Sequence, residues 1–212
     1  MEEVLIGFVL GISGSLAAAF GWEWLTRPNL LVQVDTSGRA QGQSPGQAPH
    51  EFYNLVVRNR PTISFLRLQR PAWSCRATVE VVADDAGSGR IGPIGARWTS
   101  HPEPLAVVGT ATGVVAVPDV VRILAAQRVD IHGQEDQEMS VAVKHEGKDG
   151  CYLFTNESYG FADWSRPEWR IGIGRHRLRV RLRYEKGVIE SHFWLYNRGK
   201  GRNDVTLEPI AR

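Results

Sequence analysis

Two patterns of apolar positions divide the chain. From Val4 to Trp22 the sequence VLIGFVLGISGSLAAAFGW runs nineteen residues without a charge. As a helix it would measure about 28 Å, close to the hydrocarbon thickness of a bilayer. Met1-Glu2-Glu3 lies outside it, Trp22 and Trp24 stand where an interfacial aromatic belt would sit, and Arg27-Pro28 ends it. The apolar residues cover every face of that helix, which is costly in water and ordinary in a membrane. A cleaved signal peptide is the competing reading. Ala17-Ala18-Ala19 offers a small-residue cleavage site, but the two glutamates stand where such a peptide carries Lys or Arg.

After Pro28 the apolar positions fall into short runs of period two, rich in Val, Leu, Ile, Tyr and Trp and separated by Gly, Pro, Asn and Asp. Leu30–Asp35, Phe52–Asn59, Cys75–Val82, Val129–His132, Met139–Lys144, Leu178–Tyr184 and Val188–Tyr196 are predicted strands. Asp119–Gln127 is predicted as one short helix. Tyr184-Glu185-Lys186-Gly187-Val188 joins two alternating runs as a hairpin. Gly38–Pro49 and Ala83–Pro104 are loop-rich, and the strand count is open over about 83–127. The predicted fold is mainly β: a single transmembrane helix (1–28), then an antiparallel immunoglobulin-like β-sandwich (29–212).

The positive charges follow the helix and none precedes it, which predicts a cell-membrane protein with its β domain in the cytoplasm. Within the helix Gly7, Gly11, Ser15 and Ala19 recur every fourth residue, a stripe against which a second helix can approach closely. Such small residues are also common in membrane helices for no partner's sake.

Read in order, EWLTRPNLLV, FYNLVVRNRP, AWSCRATVEV, ARW and RHRLRVRLRYEKGVIESHFWLYNRG, preceded by a short apolar helix, give the chain a likeness to uncharacterised prokaryotic single-pass membrane proteins carrying an immunoglobulin-like β-sandwich domain. The resemblance implies the architecture and transfers no site residue.

Composition removes several classes of function. The 212 residues carry 25 Lys and Arg against 23 Asp and Glu, too balanced for a basic nucleic-acid coat or a charged disordered chain. Two cysteines, Cys75 and Cys151, make no disulfide scaffold or four-cysteine zinc site. Cys75 shares strand parity with Ala77, Val79 and Val81, which makes it a core residue, and its pairing with Cys151 is open. Gly87-Ser88-Gly89-Arg90-Ile91-Gly92 matches GxGxxG. However, Pro93 follows where a phosphate-binding helix would have to open, and no acid stands about twenty residues on. The six histidines form no HExxH, and no GxSxG elbow occurs. His132 with Glu135, Asp136 and Glu138 lacks the spacing of a calcium loop and reads as a solvated turn. No cofactor, metal ligand set or catalytic residue is predicted, and the chain is not predicted to be an enzyme.

One constellation remains. Arg175, Arg177, Arg179, Arg181 and Arg183 alternate with His176, Leu178, Val180, Leu182 and Tyr184, so period two places five guanidiniums on one strand face. Residues 166–202 hold eleven Lys and Arg against three Glu, a net of +8, while the rest of the chain carries −6. Cross-strand acids would satisfy part of this row, with Glu190 and Glu80 the best placed. Trp164 and Trp169 just upstream are either core plugs or, with the arginines, an aromatic interface. Two functions follow. The first is a noncatalytic membrane-anchored accessory subunit that binds a protein partner, or a second copy of itself, through sandwich and helix. The second is a membrane-tethered sensor of an anionic ligand, a nucleotide or nucleic acid.

Overall fold

The structure, a computed structural model, describes residues 2–35, 41–42, 48–63, 69–84, 89–110, 113–125 and 127–211, without the side chains at 2–5, 7–9, 41–42, 83–84 and 114. The expected loop Gly38–Pro49 and the GxGxxG stretch fall partly outside these residues.

Alternating residues build two antiparallel sheets around one apolar core. The first runs β1 (Leu30–Val34), β3 (His50–Asn59), β10 (Asp136–His145), β11 (Cys151–Leu153) and β12 (Arg170–Ile171), with β2 (Gln41–Gly42) on β3 and β6 (Arg97–Trp98) on β10. The second runs β15 (Val205–Pro209), β14 (Gly187–Asn197), β13 (Gly174–Tyr184), β4 (Ala72–Asp84) and β5 (Ile91–Gly95), with β9 (Val129–Ile131) on β4. Leu55, Val57, Met139 and Leu153 from one sheet and Val79, Leu178, Leu182 and Phe193 from the other share the core cluster. Each such fully buried side chain contributes about 1.5–3 kcal/mol. The chain is thus mainly β, with antiparallel sheets that fit a β-sandwich.

All seven predicted strands form, the longer ones extended by two to five residues. The hairpin turns through Glu185 and Lys186, with Tyr184 opposite Gly187. Asp119 caps the short helix α2 (Val120–Leu124), accepting hydrogen bonds from the amides of Val121 and Arg122 at 3.0 and 3.2 Å.

The excursion over 83–127 is where pattern and structure differ. It holds β5 and β6, which carry the chain from the second sheet to the first, then a detached hairpin, β7 (Leu105–Thr110) with β8 (Gly113–Pro118). Strands of two to six residues interrupted by Gly and Pro give no period to read. Gly92 is the junction: at φ +95° it lies so close to β4 that a Cβ would meet the Val79 carbonyl at 2.9 Å.

At the N-terminus α1 spans Glu2–Thr26. Among the described residues no helix is long and apolar enough to cross a membrane. Its end is tied to the sandwich. Glu23 accepts ion pairs from Arg70 at 2.7 Å and from Lys186, in the hairpin turn, at 2.5 Å, and the Arg70 amide donates to the Thr26 carbonyl at 2.6 Å. Arg27 lies 6.0 Å from the Trp24 ring. Before this docked end, Leu10, Ile12, Leu16, Phe20 (73% exposed), Trp22 and Trp24 touch little of the chain.

Candidate functional site

The arginine row forms as its spacing requires. Along β13, His176, Leu178, Val180 and Leu182 are buried, while Arg175, Arg177 and Arg183 are exposed and Arg179 and Arg181 half-buried. The row lies on the outer face of the second sheet, between β14 and β4. Arg181 is opposite Glu190 on one side and Thr78 on the other, Arg179 opposite His192 and Glu80, and Arg183 opposite Val188 and Arg76.

Among the described residues Glu190 and Glu80, the two that the sequence singled out, take part of this charge. Glu190 accepts from Arg181 at 3.1 Å and lies 3.3 Å from His192. Its partial burial would raise its pKa, but the Arg181 hydrogen bond and the charges of Arg179, Arg181 and His192 outweigh that and hold it below its ordinary value. Glu80, only 3% exposed, is clamped between Arg179 and Arg90, the latter at 2.7 Å. Arg175 lies over the Trp194 ring at 4.5 Å. Among the described residues no carboxylate pairs with Arg76, Arg177 or Arg183, and Arg76 and Arg183 stand directly opposite one another. Like charges in that position destabilise a sheet.

Arg76, Arg90, Arg179, Arg181 and Arg183 surround a cleft of about 260 Å³, floored by Thr78 and Glu80 and walled by Pro93. The sequence showed the β13 row but missed Arg76 and Arg90. Arg76 shares the face through strand pairing, and Arg90 reaches Glu80 because Gly92 draws β5 against β4.

The tryptophan expectation is corrected. Trp169 is buried in the core, with Arg166 4.2 Å above its ring, so it is no exposed anchor. Trp164 lies on the other sheet's outer face, with His50 (4.8 Å), Phe52 (5.4 Å) and His145 (6.2 Å). Core demand claims the one and an aromatic cluster the other, and neither joins the arginine row.

In the helix stripe, Gly11, Ser15 and Ala19 are exposed, the Ser15 hydroxyl donating to the Gly11 carbonyl at 2.8 Å. Gly7 lies among the residues whose side-chain surroundings are not described. A surface the sequence reading missed is the β7–β8 hairpin with α2, where Val107 (74% exposed), Val108, Val115, Val120, Val121 (80%) and Leu124 face outward.

Cys75 and Cys151 are both free and fully buried, one in each sheet. Burial pushes each thiol up to about 12, which keeps both protonated and unreactive. Among the described residues no group of three His, Cys, Asp or Glu side chains converges as a metal site. No family model matches the chain, and neither a curated protein nor a solved structure matches it.

Proposed function

We propose that this chain is a noncatalytic, membrane-anchored accessory subunit whose immunoglobulin-like sandwich presents the arginine face to an acidic protein partner in the cytoplasm, with α1 as the anchor. The observation that carries the reading is the imbalance on that face: Glu80 and Glu190 occupy Arg90, Arg179 and Arg181, and among the described residues no acid pairs with Arg76, Arg177 or Arg183. A surface with surplus guanidiniums on a chain of net +2 favours an anionic partner. The strand order, with two antiparallel sheets sharing one core, supports the sandwich, as does the likeness to prokaryotic single-pass membrane proteins.

The nineteen uncharged residues from Val4 to Trp22 and the exposed side chains along α1 support the anchor. So does the docked end, where Trp22, Trp24 and Trp73 are exposed close to Arg27, Arg70 and Lys186. Aromatic rings and cations at a helix end are what a cytoplasmic membrane interface collects. The small-residue stripe would face a partner helix or a second copy.

The anchor is tested by alkaline extraction of membranes. The chain is expected to stay in the pellet, and release into the supernatant would refute the anchor. The surface is tested with Arg175→Gln/Arg177→Gln, which leaves the Glu80 and Glu190 ion pairs intact. Purified in mild detergent, the wild type is expected to bring down a stoichiometric acidic partner that leaves in about 1 M salt, where charges are screened beyond about 3 Å. The variant is expected to fold and to lose that partner. Retention of the partner at wild-type level would refute this surface.

A further inference from the structure

We infer that the arginine cleft between β13, β4 and β5 is a binding site for a phosphate group carrying two or more negative charges, a phosphomonoester or pyrophosphate. This deepens the reading of the face as an anion-binding surface and rests on it.

Three observations carry it. First, the cleft holds a surplus of charge at a defined place. Glu80 engages Arg90 and Arg179 at its floor and Glu190 engages Arg181 at its rim, which leaves Arg76 and Arg183 facing each other with no carboxylate of the described residues paired to either. Side chains directly opposite on antiparallel strands start about 5 Å apart at Cβ, so one small group can reach both. A dianion placed between two guanidiniums turns their repulsion into attraction.

Second, the cations are all arginine. Lysine would serve solubility equally well, but only the guanidinium offers a planar fork of N–H donors that matches the oxygens of a phosphate two at a time. The buried Glu80 holds two of the forks in place, so they are ordered before any ligand arrives. The Thr78 side chain adds a hydroxyl to the floor.

Third, size and position select the ligand. A volume of about 260 Å³ lies at the small end of ligand sites and suits a phosphate with a small substituent. Arg183 stands three residues before Lys186, whose ammonium reaches Glu23 of α1. At no more than about 3.3 Å per residue, the Arg76/Arg183 end of the cleft lies within roughly 10 Å of the Lys186 backbone, which the Glu23 ion pair ties to α1. Two sources can supply a phosphate there, a soluble ligand or a phospholipid headgroup of the protein's own bilayer.

The test uses the full chain in detergent micelles, titrated with pyrophosphate and read by calorimetry, with Arg76→Gln/Arg183→Gln as the variant. Both substituted arginines lie outside the Glu80 and Glu190 ion pairs. The wild type is expected to bind saturably near one equivalent, and the variant at least tenfold more weakly while melting at the wild-type temperature or slightly above. No saturable binding by the wild type, equal binding by the variant, or a variant melting several degrees lower would each overturn the assignment, the last by making these arginines structural. In nanodiscs, weaker pyrophosphate binding with phosphatidic acid than with phosphatidylglycerol at equal surface charge assigns the site to a headgroup monoester, and equal binding assigns it to a soluble ligand. If pyrophosphate fails while Arg175→Gln/Arg177→Gln still releases the protein partner, only the cleft assignment falls. If both fail, the reading of the face as a binding surface falls with it.

Discussion

Replacing Lys144 with Met is expected to cost the sandwich about 3–5 kcal/mol, a fall of roughly 10 °C in Tm. Lys144, next to last in β10, has no exposed surface, and its ammonium donates to the Asp149 carbonyl at 3.0 Å, Asn197 Oδ1 at 3.0 Å and the Gly199 carbonyl at 2.6 Å. Asn197 in turn donates to the carbonyls of Asp149, Ile171 and Gly172 at 2.8, 3.3 and 2.9 Å. The pair joins the β10–β11 turn of one sheet to the β14–β15 loop of the other, at the opposite end of the sandwich from the helix. Burial lowers the Lys144 pKa, with nearby charges including Asp204 and Asp149 pulling the other way. Methionine fills the volume but strands Asn197 Oδ1 and the Gly199 carbonyl, while the Asp149 carbonyl keeps its Asn197 donor, and each buried unsatisfied group costs about 1–3 kcal/mol. Urea unfolding followed by tryptophan fluorescence measures the loss. In a cycle with Asn197→Ala the double variant is expected to lose less than the sum of the singles, because both belong to one network. A variant within about 0.5 kcal/mol of wild type would show that the network is dispensable.

The second large effect is with acid. His145 is fully buried at the end of β10, beside Trp164 and His50. Burial, then the charge of Lys148, pushes it down to about 4 against a partial counter-pull from Asp163. Its folded pKa lies below the unfolded value of about 6.5, so between those values the unfolded chain binds a proton that the folded chain excludes, and stability falls as pH falls. Above about pH 6.5 the contribution is constant, and by pH 4.5 it has lowered stability by about 2–3 kcal/mol. His145→Phe keeps a ring in the cluster and removes the titration. The difference in unfolding free energy between pH 7 and pH 4.5 is therefore expected to be about 2 kcal/mol smaller in the variant. Equal differences would show that His145 titrates normally. Carboxylates that do not touch His145 contribute equally to both proteins and cancel in the comparison.

These two groups differ in how far the sequence exposes them. Nothing in a run such as VAVKHEG marks Lys144 and His145 as buried: as strand neighbours they point to opposite faces of the sheet, and no local pattern shows that both faces are covered there. What keeps them buried is Asn197 and Gly199 in one case and Trp164 in the other, residues roughly twenty to fifty-five positions away whose approach no local pattern encodes.

The binding face divides in the same way. Period-two alternation is a property of the backbone, so the five arginines of β13 had to share a face once that segment became a strand, and Leu178, Val180 and Leu182 had to be buried beneath it. The hairpin also followed locally, because two residues between alternating runs leave little other choice, and Glu190 was thereby set beside Arg181. Residues 4–22 carry their character in composition alone.

What the sequence by itself determined was therefore the periodicity of each segment and the chemistry of each face: an uncharged apolar stretch from Val4 to Trp22, a mainly β remainder, and a row of arginines on one strand. Only the tertiary structure decided which strand would lie beside that row. The pairing of β4 with β13 brought Arg76 opposite Arg183 and Glu80 beneath Arg179, β5 carried Arg90 over the floor, and core packing withdrew Trp169 from the surface. The physical reason is that side-chain direction along a strand is fixed by local backbone geometry. The neighbour across the sheet is selected by the sum of many weak long-range contacts, each closing a loop of tens to a hundred residues.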